Sequence, residues 1–219
     1  MDGLMFSRRA SRERPEVAGR LMSSFDLVLS FVLGVGLAAA TGFRVFLPML
    51  IASVAAYTGH LPLDDGFAWL GTPTALTMLG VAALVEILAY YVPGVDNLLD
   101  TVATPAAFVA GTVVSAAVMT DLPPLVKWTA AVIAGGGVAG LTQGVTAMLR
   151  AKSSVLTCGL GNPVIATAEL GGALLVSILA VAAPLAALAA VILFLWLALR
   201  LFRRLRRGAS RSNNVPTGP

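Results

Sequence analysis

Cysteine and histidine are nearly absent: one of each occurs in 219 residues. Cys158 alone can form neither an internal disulfide nor a cysteine-based zinc site, and His60 alone gives metal binding no support. No metal and no cofactor is therefore expected. GxSxG, HExxH and P-loop patterns are missing, and no nucleophile has a base beside it, so the chain does not read as an enzyme. Charge is scarce as well. Only 12% of residues are charged, about half of what a soluble domain carries, which excludes a soluble fold of ordinary composition.

What fills the chain instead is apolar: 58% of the residues, with a mean hydropathy of +0.88. Six runs carry it, at residues 25–57, 73–92, 101–119, 128–149, 163–182 and 184–201. Each has roughly the 20 residues that cross a bilayer core. The fold expected is all-α, a polytopic membrane protein of six transmembrane helices. Its parts are a basic cytoplasmic segment at 1–24, a membrane domain at 25–204, and a basic disordered cytoplasmic tail at 205–219.

Run 25–57 is too long for a cleavable signal peptide, and also longer than one crossing needs. Thr41, Gly42 and Pro48 cluster inside it. They mark where it kinks, breaks or turns back, and the sequence leaves these three open. Charge placement sets the orientation. Five arginines precede residue 25, and six lie at or after residue 200, so the positive-inside rule puts both termini in the cytoplasm. Beside six spans these basic ends signal topology and attract anionic lipid heads, not nucleic acid.

The halves can be laid over one another. Gly34, Ala38 and Gly42 in the first run correspond to Gly136, Gly140 and Gly144 in the fourth, small-residue stripes of the kind that let helices approach in lipid. GVAALVEILA (80–89) laid over PVIATAELGG (163–172) superposes Glu86 on Glu169, and the third and sixth runs pair through TPAAF and APLAA. Three spans per half make such repeats inverted, about 25–120 and 124–204, an arrangement that places a transport site at the repeat interface.

Glu86 and Glu169 are the acidic residues deep in apolar runs, where a carboxylate costs about 2.5 to 3.5 kcal/mol on insertion scales unless protonated, paired or wet. They read as a pair lining a polar path, able to bind a cation or exchange protons. The alternative is a protonated glutamate bonded between helices. Arg44 reads as the only basic residue deep in the bundle. Its partner is one of those glutamates, a carbonyl or an anionic substrate. Gln143 is a candidate hydrogen-bonding residue inside the bundle. Asp96 and Asp100 fall at the start of the third run, as cap and dipole partner or as a cytoplasmic-side ion site. Asn162 before Pro163 reads as a helix cap. Tyr90, Tyr91, Trp69, Trp128 and Trp196 read as bilayer anchors.

The stretches GLAAATGFRVFLPML (36–50) and GNPVIATAELGG (161–172) resemble a bacterial family of small integral membrane proteins catalogued only as a domain of unknown function. The resemblance covers roughly residues 25 to 200 and implies a multi-pass protein of the bacterial cytoplasmic membrane. It brings no substrate and no site residue. In outline, a three-plus-three inverted repeat is also similar to lysine-exporter-type transporters. The function expected is a small transporter or channel for a small cation or polar solute, proton-coupled through the two glutamates, with membrane lipids and that solute as partners. A homodimer is compatible with it. The alternatives are a protein that binds or moves an anionic lipid carrier, with Arg44 meeting the phosphate, and a non-transporting scaffold.

Overall fold

The computed structural model describes residues 25–212 apart from 93 and 121. The basic segment 1–24 and residues 213–219 of the tail lie outside the described residues. Every regular element described is helical. In chain order they are α1 (Phe25–Thr41), α2 (Phe46–Tyr57), a 3-10 turn (Asp65–Gly71), α3 (Pro73–Ala89), α4 (Val95–Val118) and α5 (Pro124–Ala130). A π-helical segment (Ala131–Gly136), α6 (Gly137–Thr157), α7 (Asn162–Ala182) and α8 (Pro184–Ser212) complete the bundle. α8 carries helix into residues 205–212, which the sequence reading assigned to a disordered tail.

Local chemistry accounts for most boundaries. Thr72 accepts the Ala75 amide at 3.2 Å with Pro73 as the first helical residue, a complete start for α3. α4 starts from Gly94, whose φ of 89° strains any side-chain-bearing residue. Between α5 and α6 the helix does not stop; it widens into the π segment, where Gly135 and Gly136 bring its backbone against Ser115 and Thr112 of α4.

Run 25–57 does not cross the bundle; it folds back. Gly34 lies against the last turn of α4, with Ser115 donating to its carbonyl at 2.9 Å, and Thr41 has descended to the level of Gly111. α2 then climbs again: Phe46 begins beside Glu86, Ser53 donates to the Leu70 carbonyl, and Ala56 packs on Gly71 just before α3. Hence the start of α1 and the end of α2 share one end of the bundle, the end where the Asp64 amide bonds the Ala117 carbonyl at 2.8 Å. The break falls at Gly42 because its backbone presses on Thr142 and the Ala139 carbonyl of α6, leaving no room for a Cβ. Pro48, inside the first turn of α2, sacrifices no helical bond there.

From the Asp64 end, α3 runs to the opposite end and α4 returns. α5 and α6 run away again, α7 returns, and α8 leaves, passing Gly36 at Ala187 and Phe43 at Phe194, where the rings meet edge-on at 4.8 Å. The trace is one re-entrant hairpin and five lengthwise passes, which corrects the reading of run 25–57 as a sixth crossing. Among the described residues three helices are long and apolar enough to cross a membrane: Leu98–Val118, Pro124–Thr157 and Asn162–Ala182. The pair Asp65–Gly71 and Pro73–Ala89, bent by 67°, makes a fourth if counted as one span.

Side-specific labelling separates the two topologies. In a Cys158→Ala background, cysteines at Asp26 and Asp65 should react with an impermeant maleimide from one side of the membrane, and a cysteine at Arg203 from the other. Six crossings would group Asp26 with Arg203 instead.

The Asp64 end is locked by an ion pair that spans the 3-10 turn and α5. Lys127, nearly buried, donates to Asp64 Oδ2 at 2.7 Å, and this bond holds the Asp64 carboxyl below the ordinary carboxylate range. A depressed folded pKa gives stability that is fully present above about pH 4 and is lost as pH falls through the folded value. The melting temperature of the detergent-solubilised protein should therefore exceed that of Asp64→Asn at neutral pH and converge on it in strong acid. A gap independent of pH would rule out this contribution.

Candidate functional site

Below the hairpin turn, six ionisable side chains, five of them charged groups and the sixth Tyr90, meet inside the apolar bundle. Arg44 leaves the turn and stacks over the ring of Tyr90, with Cζ 3.9 Å from the centroid. Its Nη2 donates to the Ala166 carbonyl at 2.9 Å and lies 3.9 Å from Glu169 Oε2. Arg150, from α6, stacks over the same ring at 4.2 Å and forms ion pairs with both Glu169 and Asp100. Tyr90 Oη reaches Asp100 Oδ1 at 3.4 Å, and Gln143 Nε2 stands 3.5 Å from the same oxygen. Both arginines and Gln143 are at most 1% exposed. Burial at that level is tolerated only because each guanidinium faces a carboxylate and an aromatic ring.

Glu86 works differently. Its two carboxylate oxygens accept the backbone amides of Val45 and Phe46 at 2.7 and 3.0 Å. These are orphan donors at the start of α2, which no side chain of its own segment caps. The glutamate therefore pins the tip of the hairpin from α3 and meets the positive end of the α2 dipole. It also lies within the field of Arg44 and Arg150.

These contacts sort the residues expected from the sequence. Arg44, Glu169, Gln143 and Asp100 come together in one network, with Glu86 at its edge. Arg44 takes two of the partners left open, the Ala166 carbonyl and the Glu169 carboxylate, but it is not the only deep cation: Arg150, just past the end of the fourth apolar run, is fully buried. Tyr90 is not a bilayer anchor; it is 2% exposed and forms the platform for both guanidinium groups. Asn162 caps nothing. Its Nδ2 ties α7 to Asp96 Oδ2 at 2.6 Å and to Ser154 Oγ at 2.9 Å. Asp96 accepts the Gly94 amide at 2.9 Å. Asp96 and Asp100 therefore serve different partners and do not converge on one ion position, and among the described residues no group of three His, Cys, Asp or Glu side chains could hold a metal.

Two features of the network bear on chemistry. Nε and Nη1 of Arg44, Nε of Arg150 and Oε1 of Glu169 are buried without a hydrogen-bond partner among the described residues, so their bonding capacity is open to water or a ligand. Second, the five groups do not balance: three carboxylates, Glu86, Asp100 and Glu169, stand against two guanidinium groups. With all five ionised these groups carry one net negative charge, with the buried Asp96 carboxylate close by Asp100 as well, a state that a bound proton or cation relieves.

A helix break lined by buried charges and enclosed by apolar helices, several of them long enough to cross a membrane, defines an all-helical membrane protein with a polar centre. Residues 31–204 match the family described as a domain of unknown function (DUF4126), and the chain belongs to that family. No curated protein and no solved structure matches the chain.

Proposed function

We propose that the protein is a small proton-coupled transporter of the bacterial cytoplasmic membrane, moving a monovalent cation or a solute that carries one. The carrying observation is the unbalanced charge among Arg44, Arg150, Glu86, Asp100 and Glu169. A proton and a cation compete for one vacant positive charge, and such competition couples two ion movements at a single site. The re-entrant hairpin supports this reading, because broken helices at mid-membrane are where transporters build their sites. α2, α3 and α4 run opposite in sense to α6, α7 and α8, which favours an inverted arrangement of three-helix units with α1 outside the repeat. The arginine-rich end of α8 and Lys152 favour the cytoplasmic side for the end opposite Asp64, and the five arginines before residue 25 pull the other way.

Reconstituted protein should dissipate an imposed pH gradient across liposomes when a transported cation is present on the opposite side. A panel of inorganic monovalent cations, amines and organic cations tests it. Proteoliposomes that hold the gradient as well as empty ones with every member of the panel would refute transport. An anionic lipid carrier is less favoured, because Arg44 and Arg150 already face carboxylates and lie behind the Tyr90 ring.

A further inference from the structure

The charged network is the upper rung of a polar ladder. Below Asp100, Arg150 and Glu169, one or two helical turns nearer the end opposite Asp64, stand Asp96 on α4, Ser154 on α6 and Asn162 on α7. Spacings of four and seven keep the two members of each pair on one face of their helix. Asn162 ties the lower rung together, its Nδ2 donating to Asp96 Oδ2 at 2.6 Å and to Ser154 Oγ at 2.9 Å. Asp96 and Asn162 are buried and Ser154 half-buried, while Lys152 and Val155 beside it are exposed, so the ladder ends at the surface there. Toward Asp64 the arrangement differs. The next buried ionisable group among the described residues in that direction is Lys127, and Leu37, Val114, Val118 and Ala180 of the core between are each at most 2% exposed.

Asn162 decides what such a ladder can do. Its Oδ1 is buried without a hydrogen-bond partner among the described residues, and a carboxamide in that state can serve Asp96 in two settings. With Nδ2 toward Asp96 it donates to the carboxylate; turned over, its oxygen accepts from a protonated Asp96 and from the Ser154 hydroxyl. We infer that Asp96 is the proton relay of the charged network, taking a proton from water at the end opposite Asp64 and passing it one turn along α4 to Asp100. One turn is about 5.4 Å, a gap that a single water bridges. The step balances: a hydronium becomes water as the Asp96 carboxylate gains its proton, and Asp96 is a carboxylate again once Asp100 has taken it. The Gly94 amide, donating to Oδ1 at 2.9 Å, keeps Asp96 oriented through the cycle. The relay rests on the reading of the network as proton-coupled and adds to it an entrance and a side.

Exchange of hydrogen for deuterium reads the relay without any transported solute. In the full chain in nanodiscs near neutral pH, exposed carboxyls are ionised, so the infrared carbonyl stretch of a protonated carboxyl reports the buried network, and its loss in Glu169→Gln or Asp100→Asn assigns it. On transfer to D2O the band should shift promptly in the wild type and about 100-fold more slowly in Asp96→Asn, the low end of what a positioned proton-transfer group contributes. Asparagine keeps an oxygen for the Gly94 amide, and the Asn162 oxygen can meet its NH2, so the fold should survive; Asp96→Glu should restore the rate. An Asp96 that only braced this end of the bundle predicts the opposite sign, since loosening the end admits D2O faster. In a Cys158→Ala background, maleimide modification of Ser154→Cys should slow exchange, and modification of Asp65→Cys should not. Exchange that is unchanged or faster in Asp96→Asn, or slowed through Asp65→Cys and not through Ser154→Cys, overturns the relay and leaves the transport reading standing. Slowed exchange in Asp96→Asn beside wild-type proteoliposomes that dissipate no gradient keeps the relay and removes transport. A network without a protonated-carboxyl band down to about pH 5 removes the bound proton, and both readings with it.

Discussion

Arg150→Ala should be the most damaging single substitution in the protein, lowering its stability in detergent by about 3 to 5 kcal/mol. The magnitude follows from what remains. Glu169 and Asp100 both pair with Arg150, and removing the guanidinium leaves two carboxylates facing each other in the bundle interior with only Arg44 nearby. Tyr90 would also lose one of the two cations stacked over its ring. Arg150→Lys should recover only part of the loss, because an ammonium cannot present the planar fork that reaches both acids. Combining Arg150→Met with Glu169→Gln and Asp100→Asn should recover much more, since replacing a whole buried ionic group by neutral residues is far less costly than orphaning its partners. Thermal unfolding of the four proteins, followed by fluorescence, decides it. If Arg150→Ala melts with the wild type, the ion pairs carry no weight in the fold.

Glu86→Gln has a small expected effect on stability and a large one on flux. Glutamine retains one oxygen for the amides of Val45 and Phe46, and its NH2 faces the other amide donor against donor, so the hairpin tip loses one charge-assisted bond, worth about 1.5 to 3 kcal/mol. Removing the negative charge, however, balances the remaining network at two carboxylates and two guanidinium groups. With no excess charge, neither proton nor cation is called for. Cation-driven dissipation of a pH gradient should fall by about 100-fold or more, the scale on which losing a proton-transferring group is felt. Glu169→Gln removes the same net charge but disturbs both arginines, so it should lose flux to a similar degree and stability to a greater one. Flux that persists in Glu86→Gln at wild-type rate would sever this carboxylate from coupling, whatever its role in the fold.

Hydropathy alone gives the apolar helices, since their residues have no alternative to helix in lipid, and the cluster of Thr41, Gly42 and Pro48 marks the break at its true position. The direction taken after the break is not readable from that pattern. Reversal depends on Thr142 and Ala139 pressing on Gly42, contacts that lie about a hundred residues away in sequence. Glu86, Glu169 and Arg44 stand out because each interrupts an apolar run. Arg150 does not, since it sits beside Lys152 at the end of a run, where a cation ordinarily marks the membrane surface. Tyr90 was hidden by the same logic. An available signal was spacing: Gln143, Thr146 and Arg150 recur at helical intervals on one stripe of α6, and all three are buried. Glu86 and Glu169 are both buried, but their different partners are not legible in the sequence, because a side chain that caps another helix leaves no pattern in its own.

The hairpin also fixes an order of assembly. Its tip is held by Glu86 from α3, Ala139 and Thr142 from α6, and Ala166 from α7, all of which leave the ribosome after α1 and α2. Until α6 and α7 have been made, Glu86 is the one of these holds that exists, and the length of this apolar run suits a full crossing better than a half one. The native hairpin is thus a late product of biogenesis, reached only when the second half of the protein closes over the first.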